Sequence, residues 1–143
     1  MSRIKCVRKI CFSSGHRVFG HEGPCKNPHG HNYSAHIFAE SNGLDQLGRV
    51  IDFSVLKEKI GGWINRYFDH TFLVYEKDEE MIQALKMVKT DKEPFICPFN
   101  PTAENIANYL LLVVAPKELE GHNVKVTKIV LYETENCYAI SAL

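Results

Sequence analysis

β-Branched and apolar residues recur densely from Ile4 to Ser13, which predicts a strand. His31 to Glu40 alternates apolar and polar residues and predicts a second strand, with Asn42-Gly43 as the turn signal after it. From Asp52 to Phe68 the period changes: Leu56, Ile60, Trp63, Ile64 and Tyr67 recur at helical spacing. Gly61-Gly62 lies inside that stretch, and each glycine costs about 1 kcal/mol relative to Ala, which points to a tertiary reason for the pair. Asp78 to Val88 predicts a short helix capped by Asp78. Thr102 to Ala115 predicts a longer one, with Ile106, Leu110 and Val113 along one face and Pro116 closing it. Val124 to Glu133 and Cys137 to Leu143 form a terminal hairpin. Antiparallel strands flanking two helices suggest an α+β domain with the helices on one sheet face.

The chain has 143 residues, the size of one domain spanning 1–143. Lys plus Arg and Asp plus Glu each number 17, so no basic excess exists to offset nucleic-acid phosphates, and no polybasic patch faces a membrane. The longest apolar run, Tyr109 to Ala115, is too short to span a bilayer. Met1 to Cys6 lacks the apolar core of a secretion signal, so the expected location is cytoplasmic. The five cysteines are odd in number and dispersed, which argues against a disulfide framework. Four of them lie in apolar or strand-like segments and are expected to behave as small hydrophobes.

Cys25 differs, because it stands in a loop from Gly20 to Gly30 punctuated by Pro24 and Pro28. In a strand, residues two apart share a face, so His29 and His31 can converge on one metal ion. His16, at the end of the first strand, can supply a third nitrogen if the two strands pair. Three histidines without a fourth protein ligand leave a coordination position for water or substrate. Cys25 has two readings at this point. It is a fourth ligand of a closed structural site, or a base or nucleophile beside the metal.

Six segments then carry a resemblance: Phe12-Ser-Ser-Gly-His16-Arg17, Cys25-Lys-Asn-Pro-His29-Gly-His31-Asn-Tyr33, Ile51-Asp52-Phe53, Asp69-His70, Pro101-Thr-Ala-Glu104-Asn105 and Tyr132-Glu133-Thr134. Together, and in this order, they resemble the 6-pyruvoyltetrahydropterin synthase / 6-carboxytetrahydropterin synthase family. The resemblance implies a T-fold: a four-stranded antiparallel sheet with two helices on one face, assembling into multi-subunit barrels and a homohexamer. It implies Zn2+ at His16, His29 and His31, and 7,8-dihydroneopterin triphosphate as substrate. It makes Cys25 the proton acceptor, with Asp69 and His70 reaching it from a neighbouring subunit as a relay that Glu133 joins. Glu104 matches the carboxylate that anchors the pterin's amino-pyrimidinone edge, and Thr102 is a substrate-binding residue beside it.

Each of these residues also has a plainer role open to it. Glu104 would complement the dipole at a helix start, Asp69-His70 would cap a helix end, and Glu133 would be a hairpin carboxylate. Within the family, the Cys-x3-His-Gly-His spacing resembles the bacterial 6-carboxy-5,6,7,8-tetrahydropterin synthases of queuosine biosynthesis. The implied reaction releases acetaldehyde and triphosphate. The alternatives are 6-pyruvoyltetrahydropterin formation by triphosphate elimination, a non-enzymatic zinc-stabilised oligomeric binding module, and, last, a zinc hydrolase. Three features depart from the family pattern: Ser14-Gly15 before the first histidine, Phe68 where Leu is usual, and a long interval from His70 to Thr102 that includes an insertion over residues 77–92. The sequence does not single out which of the 17 basic side chains grip the triphosphate; Arg17 and Lys26 lie nearest the site in sequence.

Overall fold

The structure, a computed structural model, describes residues 4–143, so Met1 to Arg3 of the N-terminal stretch lie outside it. Strand β1 (Cys6–His16) runs antiparallel to β2 (His29–Glu40) along its whole length, from Cys6 opposite Ala39 to His16 opposite His29. β2 continues into an antiparallel ladder with a later strand over Lys125–Thr134, which turns back through a hairpin into Cys137–Ala142. These are the four antiparallel strands expected. Two short strands that sequence periodicity does not show, β3 (Thr71–Tyr75) and β4 (Phe95–Cys97), add to the β1 edge in parallel. With β5 (Lys125–Thr134) and β6 (Cys137–Ala142), the sheet is six-stranded and mixed, in the order β4-β3-β1-β2-β5-β6.

One face of this sheet is covered. Phe12, Tyr33, Ala35, Ile37, Ile129 and Leu131 pack with Leu56, Ile60, Ile64, Ile106, Leu110 and Val114 into one hydrophobic cluster. Leu56, Ile60 and Ile64 are 0–1% exposed, and burial of each contributes about 1.5–3 kcal/mol. They belong to a helix over residues 53–67, begun by Asp52, whose carboxylate accepts from Ser54 N, and wound as a π-helix over Lys57–Gly61. Gly61-Gly62 closes that π segment. A Cβ on Gly61 would meet Ile10 at an ordinary 3.5 Å and one on Gly62 would meet nothing, so close packing does not explain the pair.

The second long helix runs over residues 103–118 and is also π-wound, over Leu110–Val114. Pro116 does not close it. Proline lacks the N–H that an α-turn needs and its ring crowds the carbonyl four residues back, and the wider π turn just before it takes up that misfit. The insertion carries a short helix, Glu79–Lys86, with the Asp78 carboxylate accepting from Met81 N as expected. Phe68 is fully buried among Phe12, Trp63 and Phe95, so the core accommodates the larger ring. All five thiols are free, but Cys11 and Cys137 are exposed rather than packed as small hydrophobes. No helix of the described residues is long and apolar enough to cross a membrane.

Candidate metal centre and active site

The antiparallel register that places His16 opposite His29 also places Ser14 opposite His31. Pleating then sends all three imidazoles to the helix-covered face, at the open end of the sheet beyond Phe12 and Tyr33. Their ring centroids lie 4.6, 4.9 and 5.1 Å apart, and one ring nitrogen of each falls within 4.8 Å of the others. His16 donates Nδ1–H to the Pro101 carbonyl at 2.7 Å, and His29 donates Nδ1–H to the Asn27 carbonyl at 2.6 Å. A carbonyl on Nδ1 fixes the tautomer and leaves Nε2 with a free lone pair, the usual support of a metal-bound histidine.

Nε2 of His16 and Nε2 of His31 are buried and have no hydrogen-bond partner. An unpaired buried polar nitrogen costs about 1–3 kcal/mol, and a cation between the two would satisfy both. Burial pushes His16 down to about 4, opposed by its bond to Pro101 and aided by the charges of His29 and His31. Burial likewise lowers His31, while Glu133 works in the opposite direction. Both rings are therefore neutral at pH 7, the state that binds a metal. The donor set fits a divalent ion with an open position.

Glu133 belongs to the same cluster. Its carboxylate lies 3.6 Å from His31 Nε2 and 3.9 Å from His16 Nε2, too far for hydrogen bonds but well placed beside a shared cation. Cys25 sits in a single 3-10 turn, Pro24–Lys26, tied to the end of β1 by a bond from Val18 N to its own carbonyl at 2.8 Å. Its sulfur lies outside the group of converging ligand atoms. In this arrangement it is not a fourth member of that group.

Asp69 and His70 form a pair just before β3. His70 donates Nδ1–H to Asp69 Oδ2 at 2.9 Å, and Ser13 N donates to Asp69 Oδ1 at 2.9 Å. Burial works against the ionised Asp69, yet the bonds from Ser13 and His70 and the nearby Lys92 charge hold its carboxyl below the usual range. His70 has φ 55°, a left-handed conformation uncommon for a residue with a side chain, and its side chain is 78% exposed. Within the chain it makes no bond to Cys25. A cavity of about 450 Å³, lined among others by Asn32 and Phe72, joins His31 to His70. Its size suits a bicyclic ligand. Gly15 in its wall is required, since a Cβ there would come within 2.7 Å of the Phe72 ring.

Other expected residues have different placements. Thr102 is the N-cap of the second long helix, its hydroxyl accepting from Asn105 N at 3.1 Å. Glu104 is exposed in the first turn, and its carboxylate has no hydrogen bond or ion pair among the described residues. Arg17 is not free to grip a triphosphate. Its guanidinium holds Asp78 through two bonds of 2.5 and 2.7 Å and reaches Glu80 at 3.1 Å, and the bonds to Asp78 hold that carboxyl below its ordinary range. Lys26 is exposed and without such a partner. Two contributors have little sequence signal. The Pro101 carbonyl is a backbone atom, and Lys92, which bonds to the Asp69 carbonyl, is one lysine among several in the insertion.

The family model described as 6-pyruvoyl tetrahydropterin synthase matches residues 5–142. The chain belongs to the 6-pyruvoyl tetrahydropterin synthase family. A Rickettsia felis protein named 6-carboxy-5,6,7,8-tetrahydropterin synthase is 42% identical over 135 residues, covering 94% of this chain and 97% of its own. A Haemophilus influenzae protein of the same name is 31% identical over 140 residues, covering 94% and 96%. Among solved structures, an uncharacterized Wolinella succinogenes protein superposes with a TM-score of 0.82 at 22% identity, over 97% of both chains. The Caenorhabditis elegans 6-pyruvoyl tetrahydropterin synthase gives 0.70 at 22% identity, over 98% of this chain and 95% of its own. The fold is that of the tetrahydropterin synthases, as the resemblance implies.

Proposed function

We propose that the protein is a zinc-dependent 6-carboxy-5,6,7,8-tetrahydropterin synthase. On this reading 7,8-dihydroneopterin triphosphate and one water give 6-carboxytetrahydropterin, acetaldehyde and triphosphate, in the queuosine pathway. The observation that carries the reading is the pair of buried, unpartnered Nε2 atoms beside a cavity that leads to Asp69–His70. Full-length relatives with the 6-carboxy name at about 40% identity support the choice of product. Zinc held by His16, His29 and His31 would polarise the side-chain oxygens of the substrate and acidify the adjoining C–H.

The remaining work falls to protein groups. Cys25, as thiolate, takes the proton from that carbon, and His70 accepts it in turn, held in one tautomer by Asp69. The exposed His70 ring would meet a neighbouring subunit's Cys25, which makes the site an interfacial one in a cytoplasmic homohexamer. Val7, Tyr138 and Ile140, exposed on the uncovered sheet face, supply apolar surface for such an assembly. A pterin edge offers two adjacent N–H donors to one carboxylate. Glu133 stands beside the metal ligands and Glu104 does not, so we assign Glu133 to face the substrate and leave Glu104 to complement the helix dipole. Thr102 then shapes the site by fixing the helix start behind Pro101.

Incubation of the purified protein with dihydroneopterin triphosphate tests the product. Acetaldehyde with 6-carboxytetrahydropterin is expected. The pyruvoyl product without acetaldehyde would move the assignment to 6-pyruvoyltetrahydropterin synthase, and no turnover at full zinc occupancy would favour the binding module.

A further inference from the structure

The insertion after β3 is fastened at both ends to segments of the site. At its start, the buried Asp78 carboxylate is held by Arg17, the residue after the metal ligand His16. At its end, Lys92 Nζ donates to the Asn65 carbonyl at 2.7 Å and to the Asp69 carbonyl. Lys92 lies just before β4, which pairs in parallel with β3 from Leu73 beside Phe95, so the end of the insertion returns to the β3 side of the site.

The peptide bond joining Asp69 to His70 is therefore gripped from two sides. Its N–H donates to the Ser13 carbonyl at 2.6 Å, and its carbonyl accepts from Lys92 and from Thr71 Oγ1 at 3.1 Å. That grip matters because His70 sits at φ 55°, a conformation that costs a residue with a side chain on the order of 1 kcal/mol. The Ser13 contact is backbone to backbone, so the ammonium of Lys92 is the charged side chain that decides how the peptide plane stands. The same ammonium offsets the negative end of the 53–67 helix through Asn65.

We infer that Lys92 is a positioning residue for the Asp69–His70 relay: it holds the strained turn from which the imidazole projects. The inference rests on the relay assigned under the proposed function. It makes the insertion a brace for the site, with Arg17–Asp78 as its other end, and it excludes Lys92 from gripping substrate phosphate.

The test is steady-state kinetics on zinc-loaded K92M and K92R, with imidazole 15N NMR of His70 and bound zinc measured in parallel. K92M is expected to lose about 10- to 100-fold in kcat, with KM and zinc content unchanged and the His70 tautomer signal altered. K92R is expected to recover most of both. A rise in KM at wild-type kcat would make Lys92 a substrate contact and overturn the inference. Wild-type kcat with an unaltered His70 signal in K92M would overturn it too. If K92M does not fold, K92Q is read by the same quantities. Full activity in H70A would instead remove the relay itself, and an altered His70 signal in K92M would then still report the brace.

Discussion

His16 Nδ1 and the carbonyl of Pro101, 85 positions apart in sequence, meet at 2.7 Å, so the first histidine of the candidate metal site is aimed by a residue just before the second long helix. The bond leaves Nε2 of His16 facing His29 and His31, and it links the candidate metal site to the second long helix.

Metal removal is expected to destabilise the chain, because it returns two buried nitrogens to an unpaired state. Zinc at a hundred times its dissociation constant adds about 2.7 kcal/mol, which corresponds to a rise in Tm of roughly 5–10 °C for a chain of this size. H29A should lose at least about 100-fold in zinc affinity and show little of that rise. Calorimetry with and without chelator measures both.

Cys25 and the Asp69–His70 pair should separate catalysis from metal binding. C25A and H70A are expected to retain zinc while kcat falls about 10²- to 10⁴-fold. Loss of zinc together with unfolding in C25A would identify the thiol as a structural ligand.

The two carboxylates near the site should behave differently. E133Q removes the charge beside His31 and His16 and is expected to lower kcat/KM by about 10- to 100-fold, the worth of a charged hydrogen-bond acceptor. E104Q, at an exposed first-turn position, should stay within about 0.5 kcal/mol in stability and close to wild type in rate. The reverse pattern would restore Glu104 as the pterin anchor.

Asp78 gives a pH dependence. Its carboxyl is held below its ordinary value by Arg17, so the ionised form is favoured in the folded chain. The stability it contributes is complete above its unfolded value near 3.9 and declines as pH falls toward the lower folded value. Arg17→Met leaves the carboxylate buried and unpaired, at a cost of about 3–5 kcal/mol at neutral pH. The deficit relative to wild type should shrink in acid, which urea titrations across pH 3–7 would show.

Much of this was legible in the chain. The strand period and the His-Gly-His spacing place His29 and His31 on one face, and the antiparallel register needed to bring His16 to them follows from a hairpin-like β1–β2 pair. What sequence could not show was carried by longer contacts. β3 and β4 are too short for a period-two pattern to stand out, and they form because β1 offers an open edge. Pro116 reads as a stop, yet a π turn absorbs it. Arg17 follows the first histidine in sequence, and only the folded insertion shows that its guanidinium is taken up by a buried carboxylate. Glu133 was visible in its motif, but only the folded hairpin shows that it borders the metal ligands.

The absorption spectrum of the cobalt-substituted protein tests the central claim most directly, since cobalt reports its own ligands. Tetrahedral ligand-field bands with no thiolate-to-cobalt charge transfer, shifting when dihydroneopterin triphosphate is added, are the outcome expected of three imidazoles and one exchangeable position. A charge-transfer band that disappears in C25A and a spectrum indifferent to substrate would contradict it.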